Sequence, residues 1–175
     1  VIDAAMVDGA ASQMASIWSF KAAGAWQDER GSNILDGGAP FYTAYRTLDG
    51  LYMAVAPLEN RFYGNLLDAL GLADIDPAGQ HDRSQWATVR QRIQAVFETR
   101  TRDEWCERLA GTQTCCTPIL NLSEAATHPH NIARGTFVSV DGVTQPGPAP
   151  RFSRTQSAIS SAAGTVQPDL FRVLR

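Results

Sequence analysis

Lysine is almost missing from this chain. Of 15 basic residues only Lys21 is a lysine, a bias that points to GC-rich coding and to no mechanism. Basic residues are also outnumbered, 15 against 18 acidic, for a net charge of −3 and a pI near 5.5. No basic stripe is left to neutralise phosphates, so nucleic acid is not an expected partner. Apolar runs are short. None reaches the ~18 residues that a helical membrane span needs, so a membrane is not expected either. Cysteine is scarce: Cys106, Cys115 and Cys116, an odd count with two adjacent. That is no disulfide framework of a secreted protein, and it points to a reducing, cytoplasmic setting. Internal repeats are absent.

What is present suits one ordinary domain, or a small domain with pieces of a neighbour: 175 residues, 44% of them hydrophobic. The chain opens on "VIDAAMVDGAASQMASIWSF", where Ile2, Met6, Ala10, Met14 and Trp18 recur at i, i+4. This is an amphipathic helix with no N-cap residue ahead of it, the expected look of a piece of a longer protein. "GAWQDERGSNILDGGAP" is polar and glycine-rich, a linker. "YTAYRTLDGLYMAVAP" reads as a hairpin, Tyr42 to Thr47 and Tyr52 to Ala56 around Asp49-Gly50. "LENRFYGNLLDALGL" reads as a helix burying Phe62, Leu66, Leu67 and Leu70 and ending at Gly71.

A second helix spans "SQWATVRQRIQAVFETR", with Ser84 as its N-cap and Trp86, Val89, Ile93, Val96 and Phe97 inward. A third starts at a capping box, Thr101 with Glu104, turns Trp105, Leu109 and Ala110 inward, and ends at Gly111. "TCCTPIL" reads as a short buried segment. A brief helix capped by Ser123 and stopped by Pro129 follows. Phe137, Val138 and Val140 open a second hairpin around an Asp-Gly turn. The Ser/Ala-rich tail from Ser153 to Gly164 has no periodicity. The expected class is α+β: helix and linker over 1–40, a small α+β domain over 41–145, and a return linker and tail over 146–175.

Candidate chemistry is thin. "LDGGAP" lacks both Gly-Lys-Ser/Thr and the G-x-G-x-x-G spacing, so a sharp linker turn outweighs a phosphate cradle. His128 and His130 have no Cys/Asp/Glu cluster around them, so no metal is expected. Cys115 and Cys116 have no cationic neighbour to make them nucleophiles and read as small buried hydrophobes. Glu59 stands out. It follows the apolar strand end "MAVAPL", where desolvation can make a carboxylate a proton-transfer group. The competing reading is a helix-start Glu favoured by the macrodipole, and the residues alone favour that one.

An ordered set of motifs, "VIDAAMVDG", "RGSNILDGGAPFY", "YRTLDGLYMAV", "DEWCERLAGT", "CCTPIL" and "HPHNIARGTF", resembles the α-methylacyl-CoA racemases of the family III CoA-transferases over residues 1 to about 155. The resemblance implies the small domain of an interlocked homodimer, with a linker from and a return toward a Rossmann-like large domain. It implies an acyl-CoA thioester as substrate, with coenzyme A entering only as part of it and no other cofactor. The reaction implied is α-proton transfer on 2-methylacyl-CoA by a His and an Asp, both matching positions ahead of Val1. Three positions match family site residues. Leu35 and Tyr42 match residues lining the acyl-chain site, and Glu59 matches a carboxylate that hydrogen-bonds the catalytic His. "APLENRF" departs from the family's small-Ile-Glu-Pro-Gln-Phe run, and the tail lacks its terminal Gly-x-His-Thr. The alternatives are a CoA-transferase of the same family, which "LDGGAPFY" in place of a run of glycines with Gln-Pro disfavours, and a non-catalytic dimerisation or binding module.

Overall fold

A computed structural model describes residues 3–159. The chain divides into two compact units between Ile119 and Leu120. The expected return and tail beyond residue 159 lie outside the described residues.

The first unit is built on three antiparallel strands. β1 (Thr43–Arg46) and β2 (Tyr52–Val55) form the expected hairpin, and β3 (Cys116–Pro118) adds to the far side of β2. The turn between β1 and β2 closes with Gly50 at φ 79°, a conformation that costs glycine little. The Asp49 carboxylate accepts from the Thr47 hydroxyl and from the backbone N–H of Arg102. Alternation sends Tyr45, Met53 and Val55 into the core. The free edge of β1 is covered: the Gln94 amide accepts from Arg46 N–H and donates to Arg46 C=O.

Helix α3 (Asn60–Leu70) follows β2 and ends at Gly71 in the left-handed conformation. It buries Tyr63, Leu66, Leu67 and Leu70. Tyr63 takes the place expected of Phe62, which is only half-buried; the face is rotated by one residue, so the ring that meets Phe41 is the tyrosine's. A 3₁₀ turn over Pro77–Gly79 leads to α4 (Trp86–Phe97). Ser84 is not its cap. Gln85 holds that position, and Ser84 is drawn into a turn by Asp82, which accepts from its N–H and hydroxyl. Val96 is half-buried rather than part of the innermost stripe.

Helix α5 (Arg102–Leu109) opens with the expected Thr101/Glu104 capping box and buries Trp105 and Leu109, while Ala110 faces out. The Trp105 indole N–H donates to Phe97 C=O, and the Tyr45, Phe97 and Trp105 rings pack in series with centroids 5.4 and 5.1 Å apart.

Two helices precede the sheet. The single amphipathic helix expected at the start is broken at Met14 (φ −86°, ψ 7°) into α1 (Met6–Gln13) and α2 (Ala15–Ala22). Neither buries a residue. The apolar spacing is real, but within this chain it faces outward.

The second unit holds α6 (Leu122–Thr127), α7 (Pro129–Arg134) and a hairpin of β4 (Phe137–Val140) and β5 (Val143–Pro146). Asn121, not Ser123, caps α6 in a capping box with Glu124. α6 ends just ahead of Pro129 as expected, and Pro129 also starts a further helix, at the first position of α7, where its missing N–H costs nothing. His128 caps α7 by accepting from His130 N–H. The Asp141-Gly142 turn has positive φ at both residues, matching the twist of a two-residue hairpin.

Candidate functional site

The linker between α2 and β1 is an organised loop. Asn33 is 1% exposed and pairs with the backbone of Gln27 in both directions, accepting from its N–H and donating to its C=O. Asp36 accepts from the N–H groups of Gly31, Asn33 and Gly38 and from the Asn33 amide. Burial works to raise the Asp36 pKa, but these four donors together outweigh it and the carboxyl is held below its ordinary value. Gly38 has no room for a side chain: an added Cβ would stand 2.6–2.7 Å from backbone atoms of Asn33 and Gly31. Arg90 of α4 reaches back to the same turn and donates to the Gly37 and Gly38 carbonyls. The double glycine of "LDGGAP" is therefore a packed turn, not a cradle open to phosphate.

The turn sets Leu35 in the wall of an apolar cavity of about 270 Å³, shared with Phe20, Ala25, Trp26, Ile34 and Leu58. Leu58 comes from the segment joining β2 to α3, and Glu59 is the next residue. Leu35 and the Glu59 segment thus meet at one cavity. Tyr42 lines none of it; it is half-buried against the core.

Glu59 occupies the N-cap position of α3, yet its side chain caps nothing. It is also exposed. Burial does not desolvate Glu59; it stands exposed at the start of α3, where the helix dipole favours its charge as the helix-start reading expects, although its side chain makes no capping hydrogen bond. The residue directly follows Leu58, which lines the cavity, and its charge acts on the nearby Cys115.

The segment carrying Glu59 is held from below. Gln80 is 2% exposed, and its amide donates to the carbonyls of Pro57 and Leu58 at 3.0 and 3.1 Å. Gln80 was invisible to sequence reasoning; its only signal is a lone Gln in the loop after a Pro-Ala-Gly turn.

Next to Glu59 lies the loop before β3. Gln113 and Cys115 both adopt positive φ, and Arg61 and Asn65 of α3 donate to Gln113. Cys115 is exposed, against the expectation of a buried hydrophobe, because its left-handed backbone turns it away from the strand. Burial first and the Glu59 carboxylate second push its thiol up, and burial pushes Cys116 up to about 12. No thiol here is poised as a nucleophile. No group of three or more His, Cys, Asp or Glu among the described residues could hold a metal ion. No helix among them is long and apolar enough to cross a membrane.

The chain is similar to α-methylacyl-CoA racemase from Mus musculus, 42% identical over 163 residues, which cover 92% of this chain and 42% of that protein. The Homo sapiens α-methylacyl-CoA racemase is 41% identical over 156 residues, 89% of this chain and 41% of that protein. The chain thus spans about two fifths of the length of these relatives. Among solved structures, a hypothetical protein from Mycobacterium tuberculosis superposes with a TM-score of 0.68 at 17% identity, over 92% of this chain and 43% of that one. A CAIB/BAIF family protein from Brucella suis does so with a TM-score of 0.59 at 19% identity, over 92% and 43%. These two speak for the fold alone. The model of the family described as CoA-transferase family III matches residues 1–169, and the chain belongs to that family.

Proposed function

We propose that this chain is the part of a racemase acting on 2-methylacyl-CoA thioesters that supplies one wall of the acyl site and the carboxylate that orients a catalytic base. In this reading residues 1–40 bring helix and linker from a large domain, 41–145 form the small domain, and 146–175 lead back. The α-proton is removed and returned by a His and an Asp contributed by the remainder of the enzyme. The enolate between the two steps is stabilised by donors at the thioester oxygen. Coenzyme A enters as part of the substrate, no metal takes part, and two subunits interlock in a cytoplasmic homodimer.

One observation carries the reading: Glu59, an exposed carboxylate with no capping bond, directly follows Leu58 in the segment that with Leu35 walls an apolar cavity. The cavity suits a branched acyl chain, and an exposed carboxylate next along the chain from its wall suits an imidazole partner. Such a pairing holds one tautomer and favours imidazolium. The similarity to two α-methylacyl-CoA racemases supports the choice of reaction over CoA transfer within the same family.

The test is Glu59→Gln in the enzyme that contains this chain, followed by deuterium incorporation at the α carbon of a 2-methylacyl-CoA in deuterium oxide. Turnover should fall by a factor on the order of 10 to 100, the usual cost of losing an orienting group. The basic limb of the pH–rate profile should move to lower pH. Stability should change by less than about 1 kcal/mol, since an exposed group at a helix start contributes no more. Full turnover in the variant would end the assignment. The chain by itself should give no exchange above the uncatalysed rate.

A further inference from the structure

The Glu59 side chain has no hydrogen bond to fix it, although its carbonyl accepts from Tyr63 N–H, so the backbone that carries it sets where its carboxylate stands. The backbone on either side of it is tied to the Pro77–Gln80 segment by two side-chain amides. The Gln80 Nε2 donates to Pro57 C=O at 3.0 Å and to Leu58 C=O at 3.1 Å. In return, the Asn60 Nδ2 donates to Pro77 C=O at 2.6 Å. Glu59 sits between the two ties, directly flanked by Leu58 and Asn60. Gln80 is itself locked, since its own carbonyl accepts from the Trp86 indole N–H at 3.0 Å and Trp86 packs edge-on against Phe41.

Two further facts separate this from ordinary packing. The two carbonyl acceptors leave only one orientation for the Gln80 amide, with its nitrogen toward residues 57 and 58. Its Oε1 is then buried with no hydrogen-bond partner. A buried polar atom left unpaired costs on the order of 1–3 kcal/mol, so an apolar side chain of similar shape would suit mere filling better. The double donation to one strand-to-helix junction is what the glutamine provides.

We propose that Gln80 is a positioning residue for the Glu59 site: its two amide donations hold the Pro57–Leu58 backbone and so fix where the next residue, Glu59, presents its carboxylate relative to the cavity that Leu58 and Leu35 wall. The inference rests on the reading of Glu59 as the base-orienting carboxylate. Gln80 touches no reacting atom and acts only through the junction it ties down.

A double-mutant cycle tests it in the enzyme that contains this chain, with α-carbon deuterium incorporation into a 2-methylacyl-CoA as the assay. Gln80→Met keeps length and burial and removes both donors. It should lower kcat by roughly tenfold, with KM changed by less than about twofold. In a Glu59→Gln background the same substitution should cost less than about twofold more, because its route to the chemistry is already gone. Asn60→Ala, at an exposed position, should show a smaller loss with the same dependence on Glu59. It decides the matter if Gln80→Met does not fold. Losses that multiply with that of Glu59→Gln would overturn the proposal, as would full turnover in both single variants. Full turnover in Glu59→Gln itself would instead bring down the underlying reading of Glu59, so the two failures are told apart.

Discussion

At the scale of single residues, the loop that carries Leu35 hangs on one carboxylate. Asp36 gathers four donors that otherwise stay unpaired in a tight turn. Its pKa is lower in the folded chain than the ordinary 3.8. A depressed folded-state pKa contributes stability that is fully present above the unfolded value and is lost as pH falls through the folded one. Thermal melts of the chain should therefore hold between pH 5 and 7 and drop below about pH 4, where an unfolded aspartate takes up its proton. Asp36→Asn should cost about 1 kcal/mol at pH 7, a figure reduced for the partial exposure of the site. The variant should also flatten that acid limb. An unchanged acid limb would place the pH dependence elsewhere. Little of this network was legible beforehand. "LDGGAP" announces a turn, but nothing local says that Asn33 is buried or that Asp36 serves as the acceptor. Those roles depend on Gln27 and on Arg90, which lies more than fifty residues along the chain.

At the scale of elements, residue pattern and structure agree wherever the signal is local and short-range. The Asp49-Gly50 and Asp141-Gly142 hairpins, the Gly71 helix end and the Thr101/Glu104 capping box all stand as read. Disagreements share a cause. Ser84 and Ser123 suit a cap by residue type alone, while neighbours decide otherwise: Asp82 claims Ser84, and Asn121 forms the better box with Glu124. The third strand escaped because three residues carry no period, and its pairing with β2 is non-local. The capping box makes a clean check. Thr101→Ala removes the acceptor for Glu104 N–H at a half-buried position and should destabilise the first unit by about 1 kcal/mol. Urea unfolding would show a lower midpoint with an unchanged slope. A change within 0.3 kcal/mol would mean that the Asp49 contact to Arg102 N–H is enough to start α5 by itself.

At the scale of the molecule, what the sequence withheld is what lies against α1 and α2. Their i, i+4 apolar pattern ends in solvent within this chain: Met6 is 92% exposed, Val7 73% and Trp18 63%. Val7 and Trp18, with Met14, Ile17 and Trp26, line a broad cleft of about 650 Å³ whose few charges are Lys21 and Asp28, paired with each other. A contiguous apolar surface of this kind marks an interaction face. In an interlocked dimer it would be covered by the other subunit. The chain alone should therefore self-associate, with a sedimentation coefficient that rises with concentration across the micromolar range. Trp18→Glu places a charge at the centre of the face, where an aromatic anchor contributes most. It should weaken association on the order of 30-fold, the weight of one such anchor. Melting temperature of the dilute chain should stay within a degree or two, because Trp18 supports none of the buried core. A wild-type chain that sediments as a clean monomer at high concentration would count against the interlocked arrangement. A Trp18→Glu chain that associates as strongly as wild type would move the contact to another face.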